Sequence, residues 1–330
     1  MDFSLIRKRI FETDSQADFD ELALAVFRFQ YGNNSLYCQF VNGLGIDVSG
    51  INKPGQIPFL PVSFFKSHKV YSAAAKEEIV FESSTTSGSI PSRHYVADLA
   101  VYRESFYTAF SLFYGSVKDF IIIGLLPSYL ERQGSSLVYM VDYLIKQSEN
   151  PESGFYLYEH DALALKLSEI KKRGDKRVML IGVGFALLDF IEGYPMNLPE
   201  AIIVETGGMK GRREELIREE LHERLCKGFG VNRIHSEYGM TELLSQAWSH
   251  GEGLFRCPPW MNVMIRDAND PFCLAEIGRT GGINIIDLAN VNSCSFIATD
   301  DLGRMKPDGS FEVLGRFDAS DIRGCSLMIS

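Results

Sequence analysis

The chain is 330 residues long, with 45% hydrophobic and 23% charged side chains, ordinary proportions for a globular protein with one large domain or two smaller ones. A formal net charge of −10, from 33 basic against 43 acidic residues, excludes a nucleic-acid phosphate track, which needs a clustered excess of Lys and Arg. No apolar run reaches the roughly 18 residues of a membrane span, the charged start from Met1 to Arg9 is not a secretory leader, and Cys38, Cys226, Cys257, Cys273, Cys294 and Cys325 form no CxxC pair. Reduced thiols in the cytoplasm are therefore expected, not a disulfide framework or a zinc site.

In chain order, Asp2 to Phe29 has mostly helical spacing. Ile79-Val80-Phe81 reads as a strand running into a hydroxyl-rich turn. Phe120 to Leu126 is rich in β-branched residues and stops at Pro127, which predicts a buried strand. Ser135 to Lys146 places Leu137, Met140, Val141 and Leu144 on one helical face. Val178 to Gly184 predicts a second buried strand followed by a short helix from Phe185 to Ile191, and Ala201 to Val204 a third. Gly207-Gly208 is expected to turn the chain into a charged helix from Arg213 to Lys227, stopped by Gly228 and Gly230. This alternation predicts an α/β body with a mainly parallel sheet flanked by helices. From about Trp260 the pattern changes to short apolar segments punctuated at Gly278, Thr280-Gly281-Gly282, Asp308-Gly309 and Gly315, which predicts a small antiparallel β subdomain.

Three segments carry candidate chemistry. In Ser83 to Arg93 a run of hydroxyls with Gly88 and a terminal cation can wrap phosphate oxygens, although GxxxxGK[ST] is absent and a solvated loop has the same composition. In Ser236 to Glu242 the Tyr238 ring can stack on a purine and Glu242 can hold Mg²⁺ beside phosphates, while a strand ending in an exposed acid is the bland alternative. In Thr299 to Arg304 the Asp301 carboxylate can accept both ribose hydroxyls, or can lie in a plain hairpin of solvated charges.

Taken together and in this order, the segments resemble the adenylate-forming superfamily of acyl-CoA synthetases, peptide-synthetase adenylation domains and luciferases. Ser83 to Arg93 is similar to its phosphate loop, Thr206-Gly207-Gly208 to its adenine-side Gly pair, Tyr238 to Glu242 to its Tyr-Gly-x-Thr-Glu motif, and Thr299 to Arg304 to its Thr-Gly-Asp motif. Gly315 to Gly324 resembles its hinge. Within the superfamily the chain most resembles the LuxE-type acyl-protein synthetases, with phenylacetate-CoA ligases next. That likeness rests on Leu126 to Leu130 with Gly134 to Leu137, on Gly207 to Arg212, and on Arg323-Gly324-Cys325-Ser326-Leu327.

The resemblance implies a core over residues 1–314, with an α/β body to about 259 and a β-rich part over 260–314, then a hinge-like tail over 315–330 without the family's mobile C-terminal domain. It implies ATP and Mg²⁺ as cofactors, with Ser84, Thr85, Thr86, Ser87, Gly88 and Arg93 at the β/γ-phosphates, Gly207, Gly208 and Tyr238 at the adenine, and Thr241 as a further nucleotide-binding residue. Asp301 and Arg316 would hold the ribose and Glu242 the metal. Lys210 would stand in for the lysine of the missing domain, and Cys325 would accept the acyl group, or be an idle tail thiol. A fatty or aryl acid is the implied substrate, and coenzyme A, an acyl-carrier protein or an acyl-reductase the implied partner. The sequence departs from the family at Thr85 (a Gly), Arg93 (a Lys) and Asp300 (a Gly). The rival expectations are a ligase with an external thiol acceptor and an impaired nucleotide-binding scaffold. A Rossmann reading of Gly182-Val183-Gly184 lacks its third glycine, and no GxSxG supports a serine hydrolase.

Overall fold

The computed structural model describes residues 3–72, 76–84, 90–126, 134–207 and 216–317. Its strands are β1 (Leu60–Pro61), β2 (Ile79–Glu82), β3 (Arg93–Val96), β4 (Phe120–Leu125), β5 (Gly154–Tyr156), β6 (Arg177–Gly182), β7 (Ile202–Glu205), β8 (His235–Tyr238), β9 (Ala247–Ser249), β10 (Leu254–Arg256), β11 (Met261–Arg266), β12 (Thr280–Asp287), β13 (Phe296–Met305) and β14 (Phe311–Arg316). The helices are α1 (Phe3–Ile10), α2 (Gln16–Asn33), α3 (Ser35–Gly43), α4 (Phe64–Ser67), α5 (Leu99–Tyr114), α6 (Ser136–Gln147), α7 (His160–Arg173), α8 (Gly184–Gly193) and α9 (Arg218–Phe229). None of the described helices is long and apolar enough to cross a membrane. The chain divides into two compact units, one of residues 1–78, 94–97 and 255–330, the other of residues 79–93 and 98–254.

The second unit is the α/β part. Strands β5, β4, β6, β7 and β8 lie side by side and parallel, and β9 returns antiparallel on β8. All six residues of β4 are buried, as a strand covered on both faces requires. Each such Ile or Leu contributes about 1.5–3 kcal/mol by leaving water. Helix α6 buries Met140, Val141 and Leu144 of the predicted face, while Leu137 is only half-buried. Helix α9 differs from expectation, since it begins at Arg218 behind an extended Ile217. Gly228 does not stop it either. Gly228 lies inside α9, where a Cβ would collide with the Ile191 side chain of α8, and the left-handed Gly230 (φ +65°) is what ends the helix.

The first unit combines α1 to α4 with an antiparallel meander, β11–β12–β13–β14, and β1 pairs parallel to β13. The turns at Gly278 (φ +86°) and Gly309 (φ +79°) are as expected. Gly281 and Gly282 are not turn residues. They lie within β12, where Arg266 of β11 presses so close that a side chain on either would meet its backbone or guanidinium. Gly315 likewise falls inside β14. The fully buried Gln30 of α2 ties the helices to the end of the sheet. Its Nε2 donates to the carbonyls of Asn290 (3.1 Å) and Val291 (2.9 Å), and its Oε1 accepts the Ser295 N–H at 3.0 Å. Phe27, Tyr37 and Phe296 pack against one another at centroid distances of 6.1–6.2 Å.

Candidate active site

In the second unit the parallel strands bring Val183, Gly207 and Tyr238 to one carboxyl edge, the edge at which open α/β sheets bind ligands. The turn after β7 is fixed from two sides. Thr206 N–H donates to Gly182 O at 3.0 Å, and Gly184 N–H donates to Gly207 O at 3.2 Å. Gly207 has φ +71°, a conformation glycine adopts without cost. Its N–H donates to the Glu205 carboxylate at 2.7 Å. Glu205 is 4% exposed and sits 3.6 Å from His222 Nε2 on α9. Burial pushes its carboxyl up, but His222, the Arg218 charge and the Gly207 N–H together hold it below the usual range.

Beside this turn β8 ends at Tyr238, a buried ring whose hydroxyl lies 3.9 Å from Met240 Sδ. Thr241 is half-buried and Glu242 is 6% exposed, so the acid is not the solvated group of the bland alternative. At the base of the hydroxyl-rich turn, Ser83 N–H donates to Ser92 O at 3.0 Å and Ser92 N–H donates to Ser83 Oγ at 2.9 Å. Ser84 is exposed. The Arg93 guanidinium is also exposed and donates to Glu82 Oε1 at 3.0 Å. Thr85, Thr86, Ser87, Gly88, Gly208, Lys210 and Cys325 lie outside the described residues.

In the first unit Asp301 and Arg316 face each other across β13 and β14. Arg316 Nε donates to Asp301 Oδ1 at 3.2 Å, with Asp301 buried and the arginine exposed. Asp301 N–H donates to Thr299 Oγ1 at 3.1 Å, and that hydroxyl donates to Ile283 O at 2.9 Å. Thr299 thus positions the acid. The structure groups Gly207, Tyr238, Thr241 and Glu242 at two adjacent strand ends of one unit, and Asp301 with Arg316 in the other.

Sequence reasoning missed Glu205, Glu237 and His235. A charge ending the apolar run Ile202-Ile203-Val204 was the available signal for the first. Glu237 is half-buried, and burial together with the Glu205 charge raises its carboxyl to about 8. Burial, with His250 and Arg233 nearby, lowers His235 to about 4, so its imidazole is neutral against Tyr114.

No protein-family model and no curated protein matches the chain. Solved structures do. MatB from Rhodopseudomonas palustris with ATP bound is similar at TM-score 0.55 and 16% identity, over 74% of this chain and 49% of that one. A 2-hydroxyisobutyryl-CoA ligase in complex with 2-HIB-AMP and CoA is similar at TM-score 0.68 and 10% identity, over 94% of this chain and 71% of that one. An ATP-bound RpMatB-BxBclM chimera gives TM-score 0.55 at 15% identity over the same 74% and 49%. The chain spans about half the length of the MatB structures. What it shares with these proteins is the fold.

Proposed function

We propose that the chain activates a carboxylic acid, fatty or aryl, with ATP as an acyl-adenylate and passes the acyl group to a thiol. The observation that carries this reading is the placement of Gly207, Tyr238, Thr241 and Glu242 together at the carboxyl edge of a sheet whose fold is shared with ligases holding ATP, an acyl-AMP or CoA. In the first step a substrate carboxylate oxygen bonds to the α-phosphorus, the bond to the β-phosphate oxygen breaks, and pyrophosphate leaves with the electron pair. The protein's work is to align two anions and neutralise the charge between them.

Gly207 and Tyr238 would flank the adenine, with Gly208 beside them. The Asp301 carboxylate, which accepts from Arg316 Nε, would take the ribose hydroxyls. Ser84 to Gly88 and Arg93 would meet the outer phosphates, and Lys210 the reacting carboxylate. Arg93 would exchange an exposed carboxylate partner, worth little in water, for phosphate oxygens. Glu242 supplies one hard, buried oxygen donor, which suits Mg²⁺, an ion that takes one or two carboxylates and otherwise binds substrate phosphates. The metal would supply charge neutralisation at those phosphates.

In the second step a thiol sulfur bonds to the acyl carbon, the mixed-anhydride C–O bond breaks, AMP leaves, and the thiol proton passes to solvent. We assign the acceptor to Cys325, in the segment 315–330 read as a hinge-like tail beyond the core. The CoA-bound ligase structure favours a second reading in which the thiol is external, coenzyme A or a carrier protein. Acid-dependent exchange of labelled pyrophosphate into ATP, screened over fatty and aryl acids, tests the first step. Exchange with any acid supports it, and none across the screen refutes it. Incubating Cys325→Ser with labelled acid and ATP tests the second step. Hydroxylamine-sensitive label retained on the variant would remove Cys325 as acceptor.

A further inference from the structure

Strand β13 does not run evenly beside β12. Gly282 stands opposite Leu302 and Asn284 opposite Ala298, so Thr299, Asp300 and Asp301 all stand against Ile283 alone. Such a bulge interrupts the ladder, and the backbone groups it frees must find other partners. Bulges also re-aim side chains beside functional sites. The side chain carried here is the acid that accepts from Arg316.

Much of what the bulge needs comes from Arg266, on the far side of β12. Arg266 Nη1 donates to Ile283 O at 2.8 Å and to Asn284 Oδ1 at 2.9 Å, and Nη2 donates to Thr299 O at 2.6 Å. One planar fork therefore bridges β12 and β13 where their pairing fails, which a lysine's point charge would not reproduce. Ile283 O also accepts the Thr299 hydroxyl at 2.9 Å, and that hydroxyl accepts the Asp301 N–H at 3.1 Å. Asn284 and Thr299 are buried, and charged donors bond strongly to acceptors held out of water. The Phe317 ring covers the cation at 5.4 Å from its centroid, and its N–H donates to Asp300 O at 2.8 Å. Strand β12 is shaped to let the arginine through. A Cβ on Gly282 would collide with the guanidinium, and one on Gly281 with the Arg266 carbonyl. Glycine weakens a strand interior, so two adjacent ones mark a place where that approach outweighs the lost stability.

We propose that Arg266 is a positioning residue of the nucleotide site, holding the Thr299–Asp301 bulge in the shape that presents the Asp301 carboxylate to the ribose hydroxyls. This deepens the acyl-adenylate reading and rests on it. Arg266 acts through the backbone that carries Asp301 and touches neither the nucleotide nor the acid. Without the fork, Thr299 O and Ile283 O lose their charged donor, and the bulge relaxes. Successive side chains of a strand point to opposite faces, so a small change of register there swings the carboxylate away from the ribose.

The test is the preference for ATP over 2′,3′-dideoxy-ATP in acid-dependent pyrophosphate exchange. In the wild type the kcat/KM for ATP should exceed that for the dideoxy nucleotide roughly 100-fold, and Asp301→Ala should remove most of that preference. Arg266→Met keeps an unbranched stem beneath Phe317 and removes the donors. With Asp301 still present it should lower the ratio at least about tenfold, through a raised KM for ATP and with kcat little changed. Gly282→Ala displaces the guanidinium without deleting it and should lower the ratio in the same direction. It also serves where the methionine variant does not fold. A merely structural weakness reduces the active fraction for both nucleotides alike and leaves the ratio unmoved. A ratio lowered by Asp301→Ala but not by Arg266→Met or Gly282→Ala overturns the role of Arg266 while leaving the adenylation reading intact. A wild type that does not discriminate overturns the ribose assignment and this proposal with it, and exchange with no acid at all overturns the adenylation reading as well.

Discussion

Replacing Glu237 by glutamine keeps the side-chain shape and removes the ionisation. In the folded chain, burial and the Glu205 charge hold this carboxyl at about 8, against 4.5 for a free one. The folded state therefore keeps a proton that the unfolded chain releases above pH 4.5, and stability falls as the pH rises through that window. For a single group moved this far, the loss comes to about 2.5 kcal/mol between pH 5 and pH 7 and about 1 kcal/mol more by pH 9. Glu237→Gln has no proton to lose at this site, so it should gain on the wild type by these amounts as the pH rises. Urea unfolding of both proteins at pH 5, 7 and 9 reads the difference directly. A constant difference across that range would show that Glu237 ionises freely in the folded protein, and the electrostatic account of its surroundings would be wrong.

Gly239→Ala should cost about 1–3 kcal/mol, because the new methyl group meets Glu237 Oε1. Urea midpoints should show most of that cost relieved in a Glu237→Ala background, and simple additivity would dissociate the two residues. Arg316→Ala should change stability by less than about 1 kcal/mol, since its side chain is 57% exposed. Under the proposed nucleotide site the same variant should lose about tenfold or more in ATP affinity by titration calorimetry. Unchanged affinity would take Arg316 out of that site.

The strands β4, β6 and β7 were legible because a sheet covered on both faces needs continuous β-branched runs, and those runs stand in the sequence unbroken. Tyr238 and Glu242 stand out in the sequence as residue types beside the end of a strand, whereas Asp301 lies within β13 and not at a turn. What was lost depends on neighbours distant in sequence. Gly281-Gly282 has the composition of a turn but is a strand segment thinned to admit Arg266, and Gly228 has the look of a helix stop but is the space that Ile191 fills. Glu205 was hidden because nothing local announces that His222 and the Gly207 N–H converge on it. Glu237 and Gln246, nine positions apart, share a face only once β9 folds back on β8. The register of that hairpin, which no single-strand pattern encodes, turns two unremarkable polar residues into a pair.

The Gln30 clasp has a consequence for biogenesis. Its acceptors and donor come from residues 290–295, so the amide is without its protein partners throughout most of translation. The chain leaves its first unit after Glu78, returns briefly at His94–Ala97, and re-enters for good only at Phe255. A ribosome making the protein thus holds the apolar face of α2 without its sheet while the intervening α/β unit emerges, and domains fold as units when their residues become available. The α/β unit is positioned to form first, and the opening helices wait for the meander that completes them. In that interval Phe27 and its neighbours are the surface a chaperone would grip.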